Sequence, residues 1–461
     1  MVLSPFPYND RKKIPLKGSE YMKAYDLIVL GFGKAGKTLA KDFALQGKKV
    51  AVIEQSAQMY GGACINVACI PTKILLKESL RSGSFLQAIS RKFSAVNTLN
   101  QINYQNLDKL DNVDLYTYQA KFKSDTEILL YDADETIVDS LTADHIIINT
   151  GSRTKIPEIA GIHDASHIYD STGIMNLARQ PQKLIIVGAG YVALEFATIF
   201  SHLGTDVTLV HNKAHILGQE DREIASALYD NLIKQGIKFV DEAEITTFED
   251  QGQQTVVHTT QGNLSADAIL LATGRVPDTD FGLEATSLKT GQHGELIVNQ
   301  HLQTSVEHIY AVGDVKGGPQ FTYISLDDYR IVKSHLVGDG SRTTETRGLV
   351  PYSLFVDPPL SRIGLTASAA RKAGHTILEG ALAVSSMPRH FIDDDERGLF
   401  KVVVDAETQA VLGASLYGNA SEELINMIKT VTDHNLPYTT LRDQIFTHPT
   451  MAESFNDLFN I

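Results

Sequence analysis

The stretch AYDLIVLGFGKAG, residues 24–36, decides how this chain of 461 residues folds. An apolar strand runs directly into Gly31-x-Gly33-x-x-Gly36, and the segments KTLAKDFALQG and KKVAVIE that follow have the patterns of a helix and a second strand. The first glycine of such a unit makes a tight turn, the second lets backbone approach a pyrophosphate, and the third lets the helix pack closely on the strand. Glu54 ends the second strand, where a carboxylate can hold a ribose hydroxyl or stay solvated.

The same design recurs in residues 183–193, KLIIVGAGYVA, where Gly188, Gly190 and Ala193 take the three glycine positions. A helical stretch, LEFATIFSHLG, and a strand, TDVTLV, follow it. A single Gly-x-Gly-x-x-Gly is weak evidence because ordinary turns also contain it, whereas two copies in the same setting are strong evidence. The sequence therefore predicts an α/β fold with two Rossmann-like dinucleotide-binding domains.

The two units differ where their second strands end. In the second unit the strand runs into His211, Asn212 and Lys213, and no carboxylate stands there to repel a 2′-phosphate. This end favours NADPH as the nucleotide. A solvated turn would have the same composition, and use of NADH stays open.

Three further apolar segments end in glycine turns. Residues 146–152 (IIINTGS) and 269–277 (ILLATGRVP) mark places where the chain would leave one nucleotide unit for the other. Residues 308–314 (HIYAVGD) end in an aspartate that can hold a sugar-like chain of hydroxyls or close a turn. From about residue 346, apolar segments such as FKVVV and VLGASLYG alternate with the helical pattern ASEELINMIKTVTD, which predicts a C-terminal α+β domain.

Charge and composition narrow the partners and the compartment. The net charge of −14 argues against nucleic acid or an anionic membrane surface as the main partner. No apolar run reaches the ~18 residues that span a bilayer. Residues 1–21 are polar and lack the apolar core of a signal peptide, so we expect a flexible leader, with Met22 an alternative start, and a cytoplasmic protein.

Both cysteines of the chain lie in GGACINVACIPTK, residues 61–73. Positions five apart in a regular helix are separated by about 7.5 Å of rise, whereas Cα atoms joined by a disulfide lie within about 7 Å. A bond between Cys64 and Cys69 therefore requires a distorted helix start, where the helix dipole also lowers a thiol pKa. A metal site would need further ligands nearby, and two buried thiols remain an alternative. The flanking nucleotide units favour a redox-active pair.

His448 in THPTMAES is a candidate acid/base, with Glu453 five residues later available to orient its ring. Most His-Pro pairs are only turns, so a turn without a role in catalysis is the alternative.

Taken together, GFGKAG, GGACINVACIPTK, GAGYVALE, ATGRVP, AVGD and HPTMAE resemble the motifs of class I pyridine nucleotide-disulfide oxidoreductases. This family of flavoproteins includes glutathione reductase, dihydrolipoamide dehydrogenase and mercuric reductase. The resemblance covers Met22–Ile461 and implies FAD and NAD(P)H as cofactors. It also implies an order of domains: FAD-binding (22–152), NAD(P)H-binding (153–276), a central domain completing the FAD site (277–345) and a dimerisation domain (346–461).

The same resemblance assigns roles to the candidate residues. Cys69 would be the thiol that faces the flavin, and Cys64 the thiol that meets substrate. Lys73 and Glu195 would lie beside the reactive flavin edge, and Tyr191 would gate the nicotinamide pocket. His448 and Glu453 would serve the active site of the other subunit, so the enzyme would be a homodimer with shared active sites.

The cofactor-binding residues so implied, with no metal ligand among them, are Gly31, Gly33, Gly36, Glu54, Gly62, Ala63, Gly151, Arg275, Gly313, Asp314, Thr322, Gly188, Gly190, Tyr191, Ala193, His211, Lys213 and Gly274.

A finer resemblance is to a branch that defends bacteria against reactive chlorine species and hypothiocyanous acid. GFGKAGKTLA, GGPQFTYISLDDYRIV and LRDQIFTHPTMAESFNDLF are similar to that branch, which implies a small-molecule oxidant as substrate. Reduction of small disulfides or of Cu(II) or Hg(II) is an alternative. An N-terminal metal-binding domain and a C-terminal cysteine are not found, and His448 is kept, which counts against mercury. A subunit of a dihydrolipoamide-type complex and a flavoprotein with inert thiols are further alternatives.

The chain departs from the family pattern at three positions. Ala63 and Ala68 stand where the family usually has Thr and Gly, and His211 replaces an acid. The first two bear on the tuning of the redox helix and the third on the choice of nucleotide. None removes a chemical group that the predicted reaction needs.

Overall fold

The structure is a computed structural model and describes residues 22–461. The leader predicted over residues 1–21 lies outside the described residues. The first sheet of the protein has seven strands, and the strand that opens the first nucleotide unit is one of its internal strands. In spatial order six of them are Val113–Tyr116, Val50–Ile53, Lys23–Leu30, Ile137–Ile148, Glu127–Tyr131 and Gln119–Ser124. The seventh strand, Ile309–Ala311, pairs in parallel with the end of Ile137–Ile148.

Helices cover the first sheet because its central strands are apolar on both faces. The helix Lys34–Leu45 begins after Gly33 and buries Leu39, Ala40 and Phe43 against the sheet. Further helices on this part of the chain are Ala63–Asn66, Cys69–Ser82, Phe85–Asp108 and Thr322–Val337.

The second nucleotide unit forms a parallel sheet of five strands. In spatial order these are Lys238–Val240, Asp206–Val210, Lys183–Val187, Ala268–Leu271 and Ile168–Tyr169. The helix Tyr191–His202 packs on the sheet, with Ser171–Ile174 and Arg222–Lys234 on the same part of the chain. An antiparallel sheet of Ile245–Asp250, Thr255–Thr259 and Gly262–Ala266 adjoins it.

The chain passes between the two parallel sheets through a two-stranded ribbon. Ser152–Thr154 leads into the second unit and pairs antiparallel with Arg275–Pro277, which leads out of it. The sequence boundaries predicted at 152/153 and 276/277 fall in this ribbon, and the domain limits stay predictions.

The C-terminal region is an antiparallel sheet of five strands. In spatial order they are Tyr352–Leu354, Leu360–Gly364, Val411–Tyr417, Leu399–Asp405 and Ile377–Ala383. Its helices are Ala367–Lys372, His390–Asp393, Ser421–Asp433, Thr439–Arg442 and Ser454–Leu458. The apolar face of Ser421–Asp433 buries Leu424, Ile425 and Ile428 in the core of the sheet, as an α+β pattern predicts. Among residues 22–461, no helix has both the length and the apolar composition that crossing a bilayer requires.

Candidate active site

The helix that carries the cysteines is broken between them. Cys64 lies in the short helix Ala63–Asn66, and Cys69 is the first residue of the 14-residue helix Cys69–Ser82. The break falls at Ala68, whose φ of −136° and ψ of −105° are not helical. The irregular helix start predicted from the spacing is therefore present.

The two cysteines are free thiols in this structure, and they share a hydrogen bond. That bond lowers the pKa of Cys69 to about 6, against an opposing effect of burial. The bond and burial together raise the pKa of Cys64 well above the ordinary thiol value. Of the two thiols, Cys69 is therefore the one that loses its proton more readily.

Two neighbours support the charge on Cys69. Thr322 Oγ1 lies 3.6 Å from the Cys69 sulfur, and it stands at the first position of the helix Thr322–Val337. The hydrogen bond with Thr322 lowers the pKa of Cys69. The positive charge of Lys73, one turn further along the same helix, lowers it by a smaller amount. Thr322, which the sequence predicts as a cofactor-binding residue, thus contacts the Cys69 thiol, and its cofactor role stays a prediction.

Lys73 and Glu195 form the ion pair that the resemblance implies. Lys73 Nζ lies 2.7 Å from Glu195 Oε2 and 2.9 Å from Oε1. The ammonium also stands 4.6 Å from the centre of the Phe355 ring, and the Phe355 N–H donates to Glu195 Oε1 at 3.1 Å. The pair thus joins the cysteine helix, the second nucleotide unit and the C-terminal region.

The glycine turn of the first unit borders a cavity of about 580 Å³. The cavity is lined by Leu30, Gly31, Ile53, Glu54, Gln55, Tyr118, Gln119, Ala120, Thr150, Arg153, Asp278, Thr279, Asp280 and Phe281. Gly31 has a φ of +90°, and a Cβ added there would lie 2.4 Å from Asn149 O, so the close approach requires glycine. Glu54 accepts hydrogen bonds from the backbone N–H groups of Phe32 and Ser56, at 3.1 and 3.2 Å.

This cradle fits the nucleotide part of FAD. Burial raises the pKa of the Glu54 carboxyl, and the two N–H bonds oppose that rise. The cysteine loop closes over the turn, since a Cβ added at Gly62 (φ +80°) would lie 2.9 Å from the Cα of Gly33. The first glycine unit and the cysteines are therefore parts of one site, and the next residue, Ala63, is exposed.

Asp314 reaches the same site through the two-stranded ribbon. Ser152 Oγ donates to Asp314 Oδ2 at 2.8 Å, and Arg275 Nε donates to Ser152 Oγ at 2.9 Å. Gly151, which precedes the ribbon, has a φ of +80°. The structure thus brings together Gly151, Arg275 and Asp314, which the sequence proposed separately.

Two buried polar residues support this site and were missed from sequence. The side chain of Asn149 accepts from the Gly36 N–H at 2.9 Å and donates to Val312 O at 2.9 Å. The fully buried Asp328 accepts from the Gly313 N–H at 2.8 Å and from Arg347 Nη2 at 2.6 Å. The signal that could have identified Asn149 is its place in IIINTGS, where it is the polar residue directly after an apolar strand.

The second glycine unit borders a larger cavity of about 830 Å³. Among the residues that line it are Gly188, Gly190, Tyr191, His211, Lys213 and Gly274. Ala193 is fully buried in the helix Tyr191–His202 and packs against the core. The Tyr191 hydroxyl donates to Glu220 Oε1 at 3.1 Å, so the ring is fixed at the wall of this cavity.

Acidic residues also lie near the end of the strand Asp206–Val210. They belong to segments that the sequence pattern does not place there. Asp241 Oδ1 lies 2.7 Å from Nε2 of the buried His211, and Glu244 lines the cavity. The prediction that no carboxylate stands at this strand end holds for the strand itself. It missed Asp241, which follows the neighbouring parallel strand Lys238–Val240.

His448 and Glu453 form a pair at the surface. His448 Nδ1 lies 2.7 Å from Glu453 Oε2, and the His448 side chain is 70% exposed. That hydrogen bond lowers the pKa of Glu453. Within residues 22–461 no hydrogen bond or ion pair joins His448 to either cysteine. No group of three or more His, Cys, Asp or Glu side chains in this part of the chain is arranged to hold a metal ion.

Comparison with known proteins assigns the fold and site to a class. Residues 25–328 match the pyridine nucleotide-disulphide oxidoreductase family, and residues 350–459 match its dimerisation domain. The chain belongs to this family. The predicted α/β fold, the class of enzyme and its two cofactors, FAD and a pyridine nucleotide, are thereby confirmed.

Particular relatives narrow the class. The chain is 43% identical over 441 residues to the probable pyridine nucleotide-disulfide oxidoreductase RclA of Escherichia coli, covering 95% of this chain and 100% of that protein. A solved structure of E. coli RclA, an HOCl-induced flavoprotein disulfide reductase, superposes with a TM-score of 0.91 and covers 95% of this chain and 100% of that one. Mercuric reductase of Staphylococcus aureus is 30% identical, covering 93% of this chain and 81% of that protein. The predicted likeness to the branch associated with reactive chlorine is confirmed, and the dimerisation domain indicates a homodimer.

Proposed function

We propose that this chain is an NAD(P)H-dependent reductase of hypothiocyanous acid and related reactive chlorine species, acting in the cytoplasm through a Cys64–Cys69 redox pair. The observation that carries the proposal is the placement of two free thiols on either side of a break in the helix, with Thr322 Oγ1 3.6 Å from the Cys69 sulfur. A Cys69 thiolate next to a Cys64 thiol is poised to form a disulfide once Cys64 has been oxidised. The likeness to an HOCl-induced reductase supports the class of substrate.

The raised pKa of Cys64 means that this thiol needs a base. We assign that role to His448 of the partner subunit, because His448 is exposed in its own chain and oriented by Glu453. A homodimer with shared active sites follows from this assignment.

The proposed reaction with hypothiocyanous acid uses Cys64, Cys69 and the partner subunit's His448. His448 takes the proton of Cys64, and the thiolate attacks the sulfur of hypothiocyanous acid. The leaving hydroxide receives that proton and departs as water, which leaves a sulfenyl thiocyanate on Cys64. The Cys69 thiolate then attacks the Cys64 sulfur and expels thiocyanate. One thiol, one thiolate and hypothiocyanous acid thus give a disulfide, water and thiocyanate.

Regeneration of the dithiol requires the cofactors. In the proposal, the cradle at Gly31, Glu54 and Asp314 holds FAD, and the cavity at Gly188 and Lys213 holds the pyridine nucleotide. FAD held there would supply a two-electron path from the nucleotide to the disulfide. Lys213, at the end of the second strand, supports NADPH as the nucleotide, and NADH is the alternative.

The test is NAD(P)H oxidation by the purified holoenzyme with hypothiocyanous acid, beside glutathione disulfide at equal concentration. We expect fast turnover with hypothiocyanous acid, slow turnover with the disulfide, and loss of the activity in Cys64→Ser. Turnover that persists in Cys64→Ser would exclude Cys64 as the nucleophile. Faster turnover with glutathione disulfide would show that a small disulfide, and not hypothiocyanous acid, is the preferred substrate.

A second candidate is reduction of Cu(II), because E. coli RclA has been solved as a Cu(II) complex with a TM-score of 0.92 to this chain. Two Cu(II) ions would oxidise the Cys64 thiol and the Cys69 thiolate to the disulfide, giving two Cu(I) ions and one proton. A Cu(I)-specific chelator distinguishes the candidates. Cu(I) formation that depends on Cys64, without turnover of hypothiocyanous acid, would favour copper.

A further inference from the structure

The second lysine of the motif GFGKAGK, Lys37, has no role in the chemistry above. It lies in the first turn of the helix Lys34–Leu45, and its ammonium is directed inward. Nζ donates to Gly61 O at 2.9 Å and to Asn103 Oδ1 at 2.6 Å. Burial, and then the charge of Lys34, lower the pKa of Lys37 to about 8.

The carbonyl that Lys37 holds belongs to the loop that carries Cys64. Gly61 and Gly62 have φ values of +102° and +80°, which side-chain-bearing residues rarely adopt. Because only Ala63 separates Cys64 from this glycine pair, the placement of its sulfur depends on what fixes the two glycines.

Two asparagines also hold this loop. Asn66 Nδ2 donates to Tyr60 O at 3.0 Å and to Gly62 O at 2.9 Å, and Asn100 Nδ2 donates to Asn66 Oδ1 at 3.1 Å. Lys37 is the charged member of this set of contacts. The Lys37 ammonium therefore holds the Gly61 carbonyl, and the Asn66 amide holds the carbonyls of the residues before and after it.

Lys37 also acts on the thiol electrostatically. Cys69 and burial raise the pKa of Cys64, whereas the hydrogen bond of Thr322 and the charge of Lys37 lower it. Lys34 is the further charged group that acts on Lys37 itself.

We propose that Lys37 is a positioning residue, which holds the Gly61–Gly62 loop through the Gly61 carbonyl and supplies positive charge that assists ionisation of the Cys64 thiol. The proposal rests on the role of Cys64 as nucleophile in the proposed function. A pKa of about 8 for Lys37 means that the charge is present at pH 7 and is lost as the pH rises through 8. The stabilisation of the Cys64 thiolate by Lys37 is therefore also lost as the pH rises through 8.

The experiment measures thiol reactivity without turnover. In Cys69→Ser holoenzyme one thiol remains, since the chain has two cysteines. Its rate of alkylation by iodoacetamide is followed against pH with Lys37, with Lys37→Met and with Lys37→Arg. Lys41→Met, one turn further along the same helix, is the matched control. FAD content and thermal unfolding establish that each variant is folded.

We expect Lys37→Met to slow alkylation at pH 7 about two- to threefold, because a nearby positive charge favours the thiolate. The deficit should narrow above pH 8, and Lys41→Met should leave the profile unchanged. Lys37→Arg should keep the fast rate and extend it above pH 8, because arginine stays protonated. That variant tests the proposal even where Lys37→Met does not fold.

An unchanged profile in Lys37→Met would overturn the proposal. So would a uniform slowing at every pH, which is the result of lost packing alone. A Lys37→Arg profile that matches lysine above pH 8 would also overturn it. Failure of the proposed function is a separate result: Cys64 then alkylates as described, while hypothiocyanous acid is not turned over.

Discussion

Lys73 Nζ lies 2.7 Å from Glu195 Oε2, and this ion pair ties the helix that begins at Cys69 to the helix that begins at Tyr191. The first helix leads to the thiols and the second opens the cavity of the second nucleotide unit. The pair is partly shielded, with 31% of the Lys73 side chain and 13% of the Glu195 side chain exposed. It therefore fixes the distance between the two halves of the site.

Replacement of Lys73 by methionine should destabilise the protein and change the thiols. Glu195 would keep the Phe355 N–H but lose the ammonium, which costs about 1 kcal/mol for a partly exposed pair. The Cys69 pKa should rise, because Lys73 lowers it. Urea unfolding measures the first effect, with the exposed Lys77→Met on the same helix as control. Equal unfolding midpoints for both variants would contradict the prediction.

The pH dependence of Cys69 should follow its lowered pKa of about 6. The thiolate is present above that pH and is lost as the pH falls through it, so alkylation of Cys69 in the reduced enzyme should decline below pH 6. Thr322→Val removes the hydroxyl that stabilises the thiolate and should move the midpoint upward. Mass-spectrometric mapping of iodoacetamide labelling reads this out. A midpoint that does not move would leave Thr322 without this role.

The shared site can be tested by mixing two inactive variants. His448→Gln should lower kcat about 10²- to 10⁴-fold, the range for loss of a general acid/base. A dimer that pairs one Cys64→Ser subunit with one His448→Gln subunit contains a single intact site only if His448 serves the opposite chain. We expect half the wild-type activity per mixed dimer. Inactive mixed dimers would show that both groups act within one chain.

Lys213 should favour NADPH over NADH. Its side chain belongs to the cavity wall at the strand end, where a 2′-phosphate would lie in the proposal. Lys213→Gln should weaken NADPH binding about 3- to 10-fold and leave NADH binding nearly unchanged, because one surface charge contact is lost. Titration calorimetry with both nucleotides measures this. Equal losses for both would assign Lys213 a role unrelated to the 2′-phosphate.

Local geometry explains why much of the site could be predicted. The turn at Gly31 and the broken helix at Cys64 depend on residues that are neighbours in sequence, so spacing alone constrains them. The resemblance added the pairing of Lys73 with Glu195, which are 122 residues apart.

What could not be predicted is the set of long-range polar contacts. Asn149 contacts Gly36 across 113 residues of chain, and the Lys37 ammonium reaches Asn103 across 66. Asp241 meets His211 because two parallel strands end side by side, which a single strand pattern cannot show. Such contacts depend on side-chain direction after folding, and no sequence periodicity records them.

The strand Ile309–Ala311 has a consequence for synthesis of the chain. It covers the edge of Ile147 and Ile148 in the first sheet, yet it leaves the ribosome after the whole second parallel sheet, whose strands end at Leu271. The second sheet can therefore close while the first still has an open strand edge, a surface that favours pairing with other chains. We expect nascent chains that end between these two points to be the ones that chaperones bind most strongly.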